Sequence, residues 1–283
     1  MNTISRKKVA LVIGSGGMKC AAALGLWKVF QREGIAVSMA VGASGGSMYA
    51  AAIALGDDWA TATRKTVNLW TSDLMDGYTS NLRAALTGET RFTERSGLID
   101  NEPIMQRLRS AFGDQTFAEA RIPLYIVSTD LYSGEAVVHS SGSIVDAIRA
   151  SIAIPMIFPP WPIGDRLLVD GAVSDPLPVD VAIKEGADVI VAMGFELPTR
   201  ARMRSYAAVT AHFNSLYMNN ILKSAFAFHN LAHHAEVVAV LPELDRPISS
   251  FDADQVPFVI EQGERATQEQ LPYLRRLLTG PSP

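Results

Sequence analysis

Val9-Ala10-Leu11-Val12-Ile13-Gly14-Ser15-Gly16-Gly17-Met18-Lys19 is an apolar, β-branched run that breaks into a glycine-rich turn. The same pattern returns at Val37 to Val41, which runs into Gly42-Ala43-Ser44-Gly45-Gly46. Each stretch predicts a strand turning sharply into a helix, so the chain opens with two adjacent βα units. The second turn fits G-x-S-x-G, with a serine on a strand-to-helix turn. Its glycine flanks let the backbone bend tightly and let a carbonyl approach the hydroxyl. The first turn offers a row of backbone N–H groups at a helix start, which suits a developing negative charge. A nucleophile beside an anion cradle makes the two halves of an acyl-transfer site.

Outward from these turns, β-branched runs keep alternating with helical stretches, the pattern of a parallel or mixed sheet covered by helices. Strands are predicted at Val9–Ile13, Ile35–Val41, Ile122–Thr129, Glu135–His139, Leu167–Val169, Val189–Met193 and Val237–Leu241. Helices are predicted at Ala21–Phe30, Ser47–Leu55, Asn101–Phe112, Ile144–Ser151 and Val179–Glu185, with a long one reaching His234 and a last one from Pro257. Gly34, Gly56, Gly113 and Gly186 act as stops, Ser143 as an N-cap, and Pro155 ends its helix. Asp57 to Glu89 carries a helical pattern with Trp59, Trp70, Leu74 and Met75, which read as core or as the lining of an acyl pocket. Thr90–Ser96 is polar and irregular. No repeat or linker divides the chain, so residues 1–283 are expected to form one domain. Its core spans about 8–195, with a helical and strand extension over 205–283.

Composition bounds the partners. Of 283 residues, 48% are hydrophobic and 19% charged, enough apolar material for a sizeable core and too little charge for disorder. A net charge of −4 gives no basic field for nucleic acid. The single cysteine, Cys20, cannot form an internal disulfide and suits a reducing compartment. Arg6-Lys7-Lys8 resembles the start of a signal peptide, but glycines and Lys19 interrupt the apolar run that follows, which reads better as a strand. No uninterrupted apolar stretch reaches the ~20 residues of a membrane span. A cytoplasmic protein is expected, with peripheral contact to a membrane and a homo-oligomer both left open.

Ser44 is the candidate nucleophile; the plainer reading is a helix N-cap. A serine hydroxyl is a poor nucleophile without a base and a charge-stabilising site. Asp170, at the end of Leu167–Val169 and before Gly171-Ala172, is the candidate base, or else a turn aspartate capping local N–H groups. Desolvation would raise its pKa from ~3.9 and make it a better base. A Ser-His-Asp triad would draw on one of His212, His229, His233 or His234, none of which sits in a glycine-flanked loop. Arg200, Arg202 and Arg204 read as a solvated loop or as a contact for anionic lipid. Cys20 reads as a small buried residue or as a thiol near the site.

These motifs, taken in order, resemble the patatin-like phospholipases. The carriers are Gly14 to Lys19, Gly42 to Gly46, Ala147-Ile148-Arg149-Ala150-Ser151-Ile152-Ala153-Ile154-Pro155, and Val169-Asp170-Gly171-Ala172. Asp175-Pro176-Leu177-Pro178 and Ser250-Phe251-Asp252 extend the likeness. The resemblance implies a three-layer α/β/α fold with a mostly parallel central sheet. It implies a Ser44–Asp170 dyad, with the N–H groups of Gly16 and Gly17 as oxyanion hole. The substrate would be a lipid or phospholipid ester, cleaved through an acyl-enzyme in phospholipase A or lysophospholipase fashion, with neither metal nor cofactor.

The family's first turn usually runs three glycines, a variable residue, arginine and glycine. Here Ser15, Lys19 and Cys20 replace the first glycine, the arginine and the last glycine, which makes Ser15 and Lys19 candidates for loop support or substrate contact. Lysine gives up the planar fork of arginine. A triad esterase acting on small soluble esters, and a catalytically weakened lipid- or protein-binding module, stand as the alternatives.

Overall fold

A computed structural model of the chain describes residues 7–196, 202–232, 235–246, 248, 251 and 253–279. The chain runs through β1 (Val9–Ile13), α1 (Ala22–Glu33), β2 (Met39–Ala43), α2 (Gly45–Ala54), α3 (Trp59–Thr66), α4 (Tyr78–Thr87) and α5 (Asn101–Phe112). It continues through β3 (Leu124–Asp130), β4 (Ala136–His139), α6 (Ile144–Ser151), β5 (Trp161–Ile163), β6 (Arg166–Val169) and α7 (Val179–Lys184). The remaining elements are β7 (Val189–Met193), α8 (Tyr206–Ala232), β8 (Glu236–Val240) and α9 (Val256–Thr279).

The strands form one sheet in the order β5-β6-β3-β2-β1-β7-β8, with β4 paired to β3 off this path. Pairings among β3, β2, β1, β7 and β8 are parallel, while β4, β5 and β6 join antiparallel. β1 and β2 are buried along their whole length, as continuous apolar runs covered on both faces must be. One face packs under α1, α2, α5, α6 and α9, and its core includes Leu11, Ile13, Leu26, Phe30 and Leu274. The other packs under α7 and part of α8, through Val12, Val41, Val179, Ile190 and Leu222. This is the three-layer α/β/α arrangement that the sequence implied.

One predicted boundary is corrected and one strand is added. The second strand is Met39–Ala43, not Ile35–Val41. Gly34 closes α1 in a left-handed conformation, and the Ile35 N–H bonds back to the Phe30 carbonyl, so Ile35 belongs to the helix cap. The strand in turn runs on to the residue before Ser44. The added strand is β5, absent from the sequence reading. Trp161-Pro162-Ile163 is a three-residue edge strand, where a proline with no N–H is tolerated.

The long helix at 206–232 and the last strand and helix appear as expected to within a few residues. Trp70 and Leu74 are buried in the core. Most of the Pro198–Arg204 stretch, His233, His234 and the Ser250-Phe251-Asp252 motif apart from Phe251 lie outside the described residues.

α9 lies across α1 at a close crossing. A Cβ on Gly25 would stand 2.0 Å from the Ile260 carbonyl oxygen, and one on Gly263 would stand 2.0 Å from that of Ala22. Lys28 and Arg32 both reach Glu264, at 2.7 and 2.9 Å, and Arg275 pairs with Glu33. Among the described residues no helix is long and apolar enough to cross a membrane.

Candidate active site

Both glycine-rich turns lie at the C-terminal edge of the parallel strands, side by side because β1 pairs with β2. Ser44 stands between β2 and α2 with φ 51° and ψ −131°, a backbone conformation that side chains other than glycine rarely adopt. Its hydroxyl does not cap α2, so the N-cap reading describes its place but not its bonding. The turn closes because its flanks are glycine. A Cβ on Gly45 would meet the Gly17 carbonyl oxygen at 2.4 Å, and one on Gly46 the Ile13 carbonyl oxygen at 2.2 Å.

The Ser44 hydroxyl instead donates to Asp170 Oδ2 at 2.7 Å. Asp170 follows β6, whose antiparallel pairing with β3 brings this carboxylate to the same edge. Its other oxygen accepts from the Ala172 N–H at 2.8 Å, the local turn bond that the plainer reading expected. The backbone is fixed as well. The Asp170 N–H donates to the Ala153 carbonyl at 3.0 Å, and the Asp170 carbonyl accepts from the Thr129 hydroxyl at 2.8 Å. Ser44 and Asp170 are only 6% and 3% exposed, so the pair sits out of water. Burial pushes the Asp170 pKa up to about 7, against the opposing pull of the hydrogen bonds from Ser44 and Ala172.

Sequence reasoning missed the part played by Ser151. Its Oγ accepts from the Ser44 N–H at 2.8 Å and donates to the Val127 carbonyl at 2.6 Å, which pins the strained turn to β3. The signal was present in the Ala147–Pro155 stretch, but its serine reads as an ordinary residue near the end of a helix. Thr129 and Ser174, whose hydroxyls are 2.8 Å apart beneath Asp170, carried no sequence signal. Arg149 is fully buried between the rings of Phe158 and Trp161. It donates to Asn101 Oδ1 and the Pro159 carbonyl, and burial pushes its pKa down to about 10.

The first turn presents Gly16 and Gly17 beside Ser44, and among the described residues neither N–H has a hydrogen-bond partner. Gly17 has φ 58°, in the left-handed region. The Ser15 N–H is held by the Pro176 carbonyl at 2.8 Å. Lys19 is buried, and its ammonium donates to the Glu196 carbonyl at 3.3 Å; burial lowers its pKa. It thus ties the turn to the chain just beyond β7. Cys20 is buried, its thiol donating to the Gly14 carbonyl at 3.2 Å, and burial pushes its pKa up, against ready thiolate formation.

The partners described for Ser44 and Asp170 include no histidine. His139 lies on β4 with Nε2 2.7 Å from Ser128 Oγ, and burial lowers its pKa. His212 and His229 lie on α8. A surface groove between α3 and α5, lined by Arg64, Lys65, Leu69 and Arg107, includes none of the site residues.

The patatin-like phospholipase family matches residues 11–183, more than half of the chain. An uncharacterised NTE family protein of Mycobacterium tuberculosis is 31% identical over 179 residues, covering 63% of this chain and 28% of its own length. A second from the same organism is 30% identical over 191 residues, covering 67% of this chain and 49% of its own. The neuropathy target esterase sws of Drosophila melanogaster is 27% identical over 192 residues, 67% of this chain and 13% of its own. The chain therefore spans half or less of the length of these curated relatives. Among solved structures, human GIVD cytosolic phospholipase A2 in complex with methyl gamma-linolenyl fluorophosphonate superposes with a TM-score of 0.51 at 13% identity. That match covers 98% of this chain and 60% of the human one. At such identity the likeness is one of fold.

Proposed function

The chain belongs to the patatin-like phospholipase family, and on that premise we propose that it hydrolyses carboxylic esters of lipids through a Ser44–Asp170 dyad, in phospholipase A or lysophospholipase fashion. The observation that carries this reading is the direct 2.7 Å hydrogen bond from the Ser44 hydroxyl to the Asp170 carboxylate, with both groups buried. A triad would place an imidazole between the two.

Asp170 takes the proton as Ser44 Oγ bonds to the acyl carbon, and the carbonyl π electrons move onto oxygen. The N–H groups of Gly16 and Gly17 are the donors suited to that oxyanion. Collapse of the tetrahedral species breaks the ester C–O bond, and Asp170 returns the proton to the leaving alcohol. Water then attacks the acyl-enzyme, giving its proton to Asp170 and from there to Ser44 Oγ as the fatty acid leaves. A pKa of about 7 matches Asp170 to both duties near neutral pH. Lys19, turned to the Glu196 carbonyl, serves the loop in this reading and does not touch substrate. We also read the chain as one domain, since α9 packs directly on α1 and so on the core that carries the site, and as cytoplasmic, a reading that the single cysteine suits.

A fluorophosphonate should form a single adduct, on the peptide containing Ser44, and Ser44→Ala should abolish it by intact mass. Equal labelling of the two proteins would end the assignment. The pH dependence tests Asp170 separately. It must be ionised to accept a proton, so kcat/KM should rise with pH through about 7.

Stability should run the other way. The folded pKa lies above the ordinary aspartate value of ~3.9, so the folded state holds its proton more tightly than the unfolded state. Folding is therefore weakened as pH rises from about 4 to about 7. Asp170→Asn should lose nearly all turnover yet melt at a higher temperature than wild type at pH ~8, because it removes that buried charge. A lower melting temperature for Asp170→Asn at that pH would contradict the buried-charge account.

A further inference from the structure

Among its described side chains, helix α8 turns an apolar stripe outward. Val209, Phe213, Tyr217 and Ile221 recur at every fourth position, and all four are exposed, Phe213 at 50% and Tyr217 at 63%. The rings of Phe213 and Tyr217 lie 6.4 Å apart along this stripe. The side turned inward carries Ser215 and Asn219, both buried, with Leu222 joining the core on the α7 side of the sheet. Single exposed apolar residues are ordinary, but a stripe of them opposite buried polar residues reverses the usual amphipathic helix. Such a face suits an apolar neighbour better than water.

Charge says which neighbour. Residues 197–235 contain four Arg or Lys and no Asp or Glu, in a chain whose net charge is −4. Arg202 and Arg204 are exposed just before α8. Lys223 faces Glu196 at 3.5 Å, an exposed pair that neutralises little. A second copy of this face would bring the same positive charge against itself, because a two-fold contact is self-complementary only if its charges are. An anionic bilayer fits both features: aromatic and branched side chains enter the headgroup boundary while arginines meet lipid phosphates. Position fits too. Lys223, 3.5 Å from Glu196 just beyond β7, stands at the sheet edge that carries Ser44, and the stripe precedes Lys223 on α8. At 1.5 Å per residue the helix is about 40 Å long, and the stripe lies toward its N-terminal end, beside Arg202 and Arg204.

We propose that α8 is an interfacial docking helix, seating the protein on an anionic lipid surface through the Val209–Phe213–Tyr217–Ile221 stripe and the Arg202–Arg204 pair. This deepens the lipid-hydrolase reading, and it is tested by binding alone, in a Ser44→Ala background that cannot turn over. The probes are vesicles of phosphatidylcholine, with or without a ~30% share of phosphatidylglycerol. In co-sedimentation the protein should prefer the anionic vesicles by about tenfold or more. The pair Phe213→Ser and Tyr217→Ser should lose about tenfold of that binding, with circular dichroism unchanged. The pair Arg202→Glu and Arg204→Glu should abolish the anionic preference and its salt sensitivity.

Undiminished binding in either double variant overturns the proposal. So does a wild-type protein that elutes as a dimer, ignores vesicles and becomes monomeric in the Phe213/Tyr217 variant, which would make the stripe a contact between copies. The two readings fail separately. Restoring Ser44 in the Phe213/Tyr217 variant should leave hydrolysis of a short soluble ester at the wild-type rate while hydrolysis of vesicle lipid falls. If wild type cleaves no ester at all yet binds anionic vesicles as described, the hydrolase reading fails and the docking surface stands.

Discussion

The two glycine-rich turns look alike on paper and are held in different ways. Around Ser44 the restraint is backbone against backbone, with missing side chains at Gly45 and Gly46 leaving room for the carbonyl oxygens of Gly17 and Ile13. Around Gly16 the neighbours are side chains: a Cβ there would meet the Phe195 ring at 2.7 Å and the Cys20 sulfur at 3.2 Å. The Ile13 carbonyl, in a strand paired on both sides, cannot move without disturbing the sheet, whereas a ring can turn. At Gly46 the turn around Ser44 is therefore the rigid member, and at Gly16 the first turn is the adaptable one. That difference fits the first turn's departure from its family pattern at Ser15, Lys19 and Cys20 while the second keeps G-x-S-x-G.

Substitutions that add one methyl group can break or sharpen this contrast. The largest effect is expected from Gly46→Ala, whose Cβ would press on the carbonyl oxygens of Ile13 and Gly14. We expect a cost of about 3 kcal/mol and a melting temperature lower by about 10 °C, with fluorophosphonate labelling lost. A melting curve within a degree or two of wild type would remove the rigid half of the comparison. Next comes Gly17→Ala, which keeps the N–H but asks alanine to hold a φ of 58°. Here kcat should fall about a hundredfold with little change in KM, the signature of one spoiled oxyanion donor. Near-normal kcat in a folded protein would place the oxyanion elsewhere. The smallest effect belongs to Gly16→Ala, less than about tenfold in kcat, because the Phe195 ring can give way. Adding Phe195→Ala to it should recover part of the rate. A loss as deep as that of Gly17→Ala, with no recovery, would mean that the cradle is as rigid as the elbow.

Much of this was legible in the chain because turn chemistry is local. G-x-S-x-G placed Ser44, Asp-Gly at a strand end placed Asp170, and glycine stops placed the ends of α1, α2, α5 and α7 to within two residues. What the sequence hid was long-range. Ser151 serves Ser44 across 107 residues, and no local pattern marks a serine that accepts a distant N–H. Trp161-Pro162-Ile163 pairs only along one edge and is too short to show an alternation. Periodicity likewise shows that α8 has two faces but not which one meets the sheet. The spacing of Phe213 and Tyr217 would read the same in a core.

The crossing of α1 and α9 sets a timetable. α1 continues from the turn that carries Gly16 and Gly17, yet its partner is separated from it by more than two hundred residues. At a synthesis rate of about 5–20 residues per second, a nascent chain carries that uncovered helix for on the order of ten seconds or longer. Ser44 and Asp170 have both left the ribosome before Gly263 can settle against Ala22. Through that interval the Gly16-Gly17 turn sits on a helix with one bare flank, an opening for chaperones and proteases that closes only when the late helix arrives.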